Sequence, residues 1–345
     1  MPHSPPVFNL FRPALFALSP ERAHNLTLAL LPFLPAGDGP AFDPILRTHI
    51  AGLDFPTPVG LAAGFDKDAR VWRQMLALGF GFVEVGTLTP RPQSGNPRPR
   101  IFRLTEDRAV INRLGFNNGG LDAALPRLAR HPRLGVNVGA NKDSADRIAD
   151  YVHGIRAVRD VASWVTLNIS SPNTPGLRGL QGEALPELLA ASVEARGKDG
   201  PPLFLKVAPD LDSAQISAIA RAAVDGGMAA LIVSNTTLAR PTTLRSPLAK
   251  ESGGLSGAPL FAPSTDILRA FAGELGPSLP LIGVGGIASA ADAYTKIRAG
   301  ASVVQLYSAM IYQGPGLAAR IARELADLLR RDGFAHVAQA VGADL

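Results

Sequence analysis

From about residue 56 onwards, short apolar runs alternate with amphipathic stretches. Eight of the runs read as strands: Val59–Ala63, Phe82–Thr87, Leu134–Val138, Val165–Ile169, Leu203–Val207, Ala230–Val233, Leu281–Val284 and Val303–Leu306. Between them lie helix-like segments such as Ala69–Leu78, Ala145–Val158, Leu185–Arg196, Ser213–Asp225, Thr265–Leu275 and Ala290–Ala299. Ser213 and Ser289 stand where N-caps belong, and Gly79 and Gly300 where a left-handed glycine closes a helix. Continuous apolar strands mark a parallel sheet covered on both faces, and eight of them close a (β/α)8 barrel. A doubly wound open sheet competes. It fits less well, because polar loops follow all eight runs instead of gathering at one switch point. The expected class is α/β, a TIM barrel.

The first 40 or so residues follow a different pattern. Val7–Leu18 and Arg22–Leu31 read as two short helices parted by Ser19-Pro20-Glu21, with Ser19 as N-cap and Pro20 at the first helical position. Their apolar residues, including Phe8, Phe11, Leu15, Phe16, Leu26, Leu30 and Phe33, exceed what docking two small helices requires. The segment is too short and too proline-broken to span a bilayer, which takes roughly 20 apolar residues. It also lacks the basic n-region of a signal peptide. Two readings stay open: a helical lid packed on the barrel, or a hairpin whose outer face enters the bilayer interface. The expected division is 1–42 for this helical segment and 43–345 for the barrel.

Composition narrows the chemistry. The chain of 345 residues is 46% hydrophobic and 18% charged, with a net charge of +5. That supplies a large core and a mild preference for anionic partners. Aromatics make up only 6%, and no basic run is present, so nucleic acid is not expected. There is no cysteine, which removes disulfides, thiolate zinc sites, Fe–S clusters and cysteine nucleophiles. Six histidines show no ligand spacing, so no metal site is expected.

The polar residues at the strand ends carry the remaining signal. Val165–Arg178 runs from an apolar strand into a loop of serines, prolines and asparagines. AAGFDKD puts Lys67 after strand 1, and Gly86-Thr87 ends strand 2. A basic loop, Thr89–Arg103, follows with arginines read as solvated, and then NRLGFNN (112–118) spends three asparagines in seven residues. Asn137 and Asn168 place amides inside strands 3 and 4, and Lys206 places a cation inside strand 5. Buried polar groups need partners, so these residues point to an anionic or heteroaromatic ligand. A Schiff-base role for Lys206 is the alternative. Glycines at 253–257 and 283–286, beside helix N-termini, suit a phosphate.

Taken in order, AAGFDKD, TPRPQSGNPRPR, NRLGFNN, GVNVGANK, NISSPNTPGLR, SNTT, GGLSG, GVGGI and LYSA resemble the dihydroorotate dehydrogenases, in particular the class 2, membrane-associated, quinone-dependent form. The likeness extends to RPALFALSPERAH (12–24). It implies an FMN site of Ala63, Gly64, Phe65, Asp66, Lys67, Thr87, Asn137, Asn168, Lys206, Ser234, Gly257, Gly286, Tyr307 and Ser308. It implies dihydroorotate contacts from Lys67, Asn112, Arg113, Leu114, Gly115, Phe116, Asn168, Asn173, Asn235 and Thr236, with Ser171 as the base. Proton relay from Ser171 is expected through water or a hydroxyl such as that of Thr174. Reduced FMN would pass electrons to ubiquinone or menaquinone through the amino-terminal helices. The absence of cysteine agrees, since class 1 relatives use a cysteine base and one subclass adds an Fe–S partner subunit. The implied location is peripheral, on the cytoplasmic face of the bacterial cell membrane.

Overall fold

The computed structural model describes residues 6–345. The first five residues of the expected 1–42 segment lie outside the described residues. Eight parallel strands close into a barrel: β1 (Val59–Leu61), β2 (Phe82–Leu88), β3 (Leu134–Val138), β4 (Trp164–Asn168), β5 (Leu203–Val207), β6 (Ala230–Val233), β7 (Leu281–Val284) and β8 (Ala301–Leu306). Each strand pairs with its sequence neighbour, and β8 pairs with β1. All eight runs are therefore strands, with ends displaced by up to two residues. The register Asn168↔Lys206 sets these two polar residues side by side at the mouth.

The floor of the barrel is aromatic. An antiparallel hairpin, Thr48–Ile50 with Leu53–Phe55, lies just before β1 and had no clear signal in the sequence. It delivers Phe55 onto Phe82, stacked at 4.4 Å between ring centroids, and against Trp164 at 5.6 Å. Trp164 in turn stacks on Phe204 at 5.9 Å. The Trp164 ring explains Gly135 on the neighbouring strand, where a Cβ would come within 1.9 Å of it.

Helix caps follow the expected logic with one shift. Ser289 caps Ala290–Arg298 through Asp292 N. Asp212, not Ser213, caps Ser213–Asp225, because its carboxylate reaches Gln215 N and the Gln215 side chain returns to the Asp212 backbone. Ser19 holds the N-cap position before Pro20 without a side-chain cap bond.

Above the mouth, the insertions after β2 and β6 join in one antiparallel sheet of Ile101–Leu104, Ala109–Asn112 and Gly254–Gly257. The amino-terminal hairpin, α1 (Pro6–Ala17) and α2 (Pro20–Leu30), stands beside this sheet. Arg100 and Arg103, expected to be solvated, instead fasten the hairpin. Arg100 is buried, with Nη2 donating to Glu21 at 2.7 Å, while Arg103 donates to the carbonyls of Phe16 and Leu18 and lies over the Phe16 ring. Helix ends leave unpaired carbonyls, and a guanidinium fork reaches two at once. No helix among the described residues is long and apolar enough to cross a membrane.

Candidate active site

A buried polar ladder rises through the barrel interior. Glu84, on β2, points inward with no solvent exposure. It accepts from Asn137 Nδ2 (2.8 Å), Thr166 Oγ1 (3.0 Å), Gln305 Nε2 (3.1 Å) and Trp164 Nε1 (3.3 Å). Asn137 Oδ1 accepts from Thr87 Oγ1 at 2.6 Å, and Thr87 Oγ1 accepts from Asn168 Nδ2 at 2.9 Å. Asn168 Oδ1 is thereby turned towards Ser170 Oγ (2.9 Å) and Asn235 Nδ2 (3.4 Å). Tyr151 fixes the Asn168 backbone from outside, its hydroxyl donating to the carbonyl at 2.7 Å.

Two cations face the cavity at this level. Burial pulls the Lys206 ammonium below its ordinary range, with the Glu84 charge opposing that shift. Burial likewise pushes Lys67 down to about 8, and its Nζ donates to Gly64 O at 2.9 Å. A desolvated ammonium gains most from an anion or from electron-rich ring atoms.

The loop after β4 forms one wall. Ser171 is buried, and its Oγ accepts from Asn173 N at 3.3 Å. Asn173 Nδ2 donates to Asn112 Oδ1 at 3.3 Å, which ties this loop to the lid sheet. Asn235 Nδ2 donates to Ser170 Oγ at 3.0 Å. Arg178 clamps the arrangement, donating to Ser170 O and Thr236 O while paired with Asp210 at 2.7 Å. Thr174 Oγ1 is buried without a hydrogen-bond partner among the described residues.

Across the cavity, Gly257, Gly286, Tyr307 and Ser308 form the opposite end, with Ser308 Oγ 2.8 Å from Ser256 Oγ. Gly286 has φ +75°, and a Cβ there would lie 2.5 Å from the Phe261 backbone. Only glycine lets the turn approach that helix end.

These walls enclose a single cavity of about 950 Å³, which continues upwards between α1 and α2. Leu15, Phe16, Leu30 and Leu31 line its upper part and His24 marks the junction. The His24 ring meets Phe65 edge-on at 5.5 Å. Burial, then the nearby Lys67 charge, lowers the His24 pKa to about 3, so the imidazole is neutral.

Ala63, Gly64, Phe65, Lys67, Thr87, Asn112, Leu114, Gly115, Phe116, Asn168, Ser171, Asn173, Lys206, Ser234, Asn235 and Thr236 all border this cavity. Three expected contact residues do not. Asp66 is buried below the strand end, where its carboxylate accepts from Arg70 N and Val71 N, both at 2.7 Å. Arg113 turns outward to Glu251 at 2.8 Å and lies over Phe102. Asn137 acts one layer below, through Thr87 and Glu84. Of the three asparagines at 112–118, Asn112 alone lines the cavity; Asn118 braces Thr89, Phe116 and Gly120. Glu84, Gln305 and Tyr151 were missed. A carboxylate in FVEVG and a glutamine in VVQL were the available signals, since each interrupts a strand buried on both faces.

Fold and site together define a (β/α)8 barrel whose cavity is lined by amides, hydroxyls and two lysines at the mouth and by apolar side chains under a helical hairpin. The comparisons make this specific. The family model for dihydroorotate dehydrogenase matches residues 45–329. The chain is 57% identical over 343 residues to the dihydroorotate dehydrogenase (quinone) of Erythrobacter litoralis, covering 98% of this chain and all of that protein. It is 58% identical to the protein of the same name from Sphingopyxis alaskensis, covering 97% and 96%. A crystal structure of DHODH from Eimeria tenella in complex with ferulenol superposes with a TM-score of 0.91 at 42% identity, covering 96% of this chain and 98% of that one. The chain belongs to the dihydroorotate dehydrogenase family, and it is an oxidoreductase.

Proposed function

We propose that the chain oxidises dihydroorotate to orotate in pyrimidine biosynthesis, with FMN as its flavin and a membrane quinone as final acceptor. The observation that carries this reading is the single cavity, polar at the Ser171 loop and apolar under α1 and α2. The donor set suits FMN. Lys206, Asn168 and Thr87 offer a cation, an amide and a hydroxyl to the edge of a flat ring, and the Gly257, Gly286 and Ser308 end suits its phosphate. Held by these residues, FMN would supply the hydride-accepting and electron-transferring chemistry between substrate and quinone.

The chain's own residues do the rest. Lys67 pairs with the substrate carboxylate, while Asn112, Asn173 and Asn235 supply the donors and acceptors of a pyrimidine edge. Ser171 Oγ, sheltered from solvent, removes the C5 proton and passes its own outward through water or a hydroxyl such as that of Thr174. Thr236 and the 114–116 turn close the pocket against water. Asp66, Asn137 and Arg113 serve by holding backbone, Thr87 and the lid sheet.

Residues 1–42 form the membrane-associating and quinone-access segment, 43–345 the catalytic barrel. Leu10, Phe11, Leu30 and Phe33 of the former are 75%, 57%, 55% and 85% exposed, an apolar edge that suits the bilayer interface. The protein is peripheral, at the cytoplasmic face of a bacterial membrane. The test is spectroscopic. Purified full chain should be yellow, dihydroorotate should bleach the flavin band, and ubiquinone or menaquinone should restore it. A colourless protein that FMN cannot reconstitute would sink this reading.

A further inference from the structure

Lys296 is a buried cation that the chemistry above does not use. It lies near the end of α4 (Ala290–Arg298) with no solvent exposure. Its Nζ donates to Ser264 Oγ at 2.8 Å and Thr265 Oγ1 at 3.0 Å, and faces the Phe261 ring at 5.3 Å. All three residues belong to the first turns of α3 (Phe261–Leu275). Among the described residues no carboxylate comes within ion-pairing distance of this amine; its partners are two hydroxyls and an aromatic face. A positive charge at a helix N-terminus, without a counter-ion, is doubly unfavourable.

What lies next to it is the Gly285–Gly286 turn. The Lys296 stem runs past Gly283, where an added Cβ would meet its Cδ at 3.2 Å. Ser264 Oγ, which accepts from Lys296, directs its own proton to the carbonyls of Gly285 (3.2 Å) and Phe261 (3.1 Å). Gly285 and Gly286, with φ of +110° and +75°, sit directly against Ser264 and Phe261 and border the cavity on their other side. Between the buried amine and the cavity lie the Ser264 side chain and the Gly285–Gly286 backbone.

We propose that Lys296 is a positioning residue for the cofactor's phosphate: it fixes the Gly285–Gly286 turn through Ser264 and supplies, across that turn, the positive charge the phosphate dianion requires. This rests on the FMN reading above. Burial holds the Lys296 pKa down at about 7 while no anion is bound, so a phosphate at the turn draws a proton onto it. The other charges bearing on it are Asp266 and Asp292, which favour its charged form, and Arg269, which opposes it.

The test compares FMN with riboflavin, which has the same ring and ribityl chain but no phosphate. Apoprotein of the full chain is titrated with each flavin by fluorescence quenching, and the ratio of the two affinities is followed with pH. Lys67 and Lys206 face the ring end, so their titration acts on both flavins and cancels. The phosphate is a dianion above about pH 6 and the unliganded Lys296 is charged below about pH 7, so the FMN preference peaks near pH 6.5–7 and falls about tenfold as pH rises to about 9. Lys296→Met should lower the preference about tenfold at pH 6.5, by the same conversion, and flatten its pH dependence, while Lys296→Arg keeps most of it. A ratio that stays constant between about pH 7 and 9 in the unsubstituted chain, where the phosphate no longer titrates, overturns the assignment without any variant. So does a Lys296→Met protein that loses affinity for both flavins equally, since that is a packing effect. A chain that binds neither flavin removes the FMN reading itself; tight FMN binding with a ratio indifferent to residue 296 removes only Lys296.

Discussion

Asn137 Nδ2 donates to Glu84 Oε1 at 2.8 Å, and this contact sets the direction of every hydrogen bond above it. Four donors converge on Glu84, whose two oxygens accept from all of them. Asn137 must then present its oxygen to Thr87. Thr87 must donate to it, and Asn168 is left offering nitrogen downward and oxygen towards Ser170 and Asn235. Glu84→Gln keeps the volume but allows the ladder to run either way. It should cost about 1–3 kcal/mol of stability and weaken orotate binding about tenfold, read by thermal melting and by the flavin spectral shift on titration. Unchanged orotate affinity would show that Asn168 is oriented by other means.

Ser171→Ala removes the proposed base and little else, because among the described residues the Ser171 hydroxyl accepts one long backbone bond. Turnover should fall by 10²-fold or more, the scale of general-base loss, with flavin content and orotate affinity near those of the unsubstituted protein. Rapid-mixing measurement of flavin reduction isolates the affected step. Reduction at the original rate would take Ser171 out of the role.

Lys67 should give the proposed substrate site a pH dependence. Burial lowers its pKa to about 8, so the ammonium is present below that value and lost above it. A bound carboxylate raises the pKa, which places the gain in affinity below about 8 and its loss above. Orotate affinity should decline up to about tenfold between pH 7 and 9, and Lys67→Met should abolish that slope. A slope that survives in Lys67→Met would assign the titration to another group.

Deleting residues 1–42 should separate the two half-reactions. The deletion removes the apolar walls Leu15, Phe16, Leu30 and Leu31 and leaves the Ser171 loop in place. Steady-state assays should show quinone turnover down at least tenfold, with a soluble dye reduced at a rate within a few-fold of the full chain. Equal loss with both acceptors would mean that the hairpin serves folding alone. Vesicle flotation with anionic lipid should retain the full chain and release the truncated one.

Residues at strand ends were legible because burial leaves a polar side chain few options. Asn168 and Lys206 could be singled out from VTLN and FLKV, and they do meet at the mouth. Asp66 and Arg113 sat in equally suggestive motifs, yet they point away from the cavity. Sequence proximity to a strand end does not fix side-chain direction in a loop, where local backbone donors compete for a carboxylate. Arg100 looked solvated in a basic, proline-rich stretch; its partner Glu21 is 79 residues away, beyond any local pattern. The floor hairpin escaped notice because two three-residue strands carry almost no periodicity.

Trp164 belongs to both ends of the barrel. Its ring is part of the aromatic floor, and its indole nitrogen donates to Glu84. Loosening of the floor would therefore be felt at Glu84, and through it by the Asn137–Thr87–Asn168 ladder, by way of the Trp164 indole. On warming, ligand affinity should therefore fall before circular dichroism records any loss of helix or sheet.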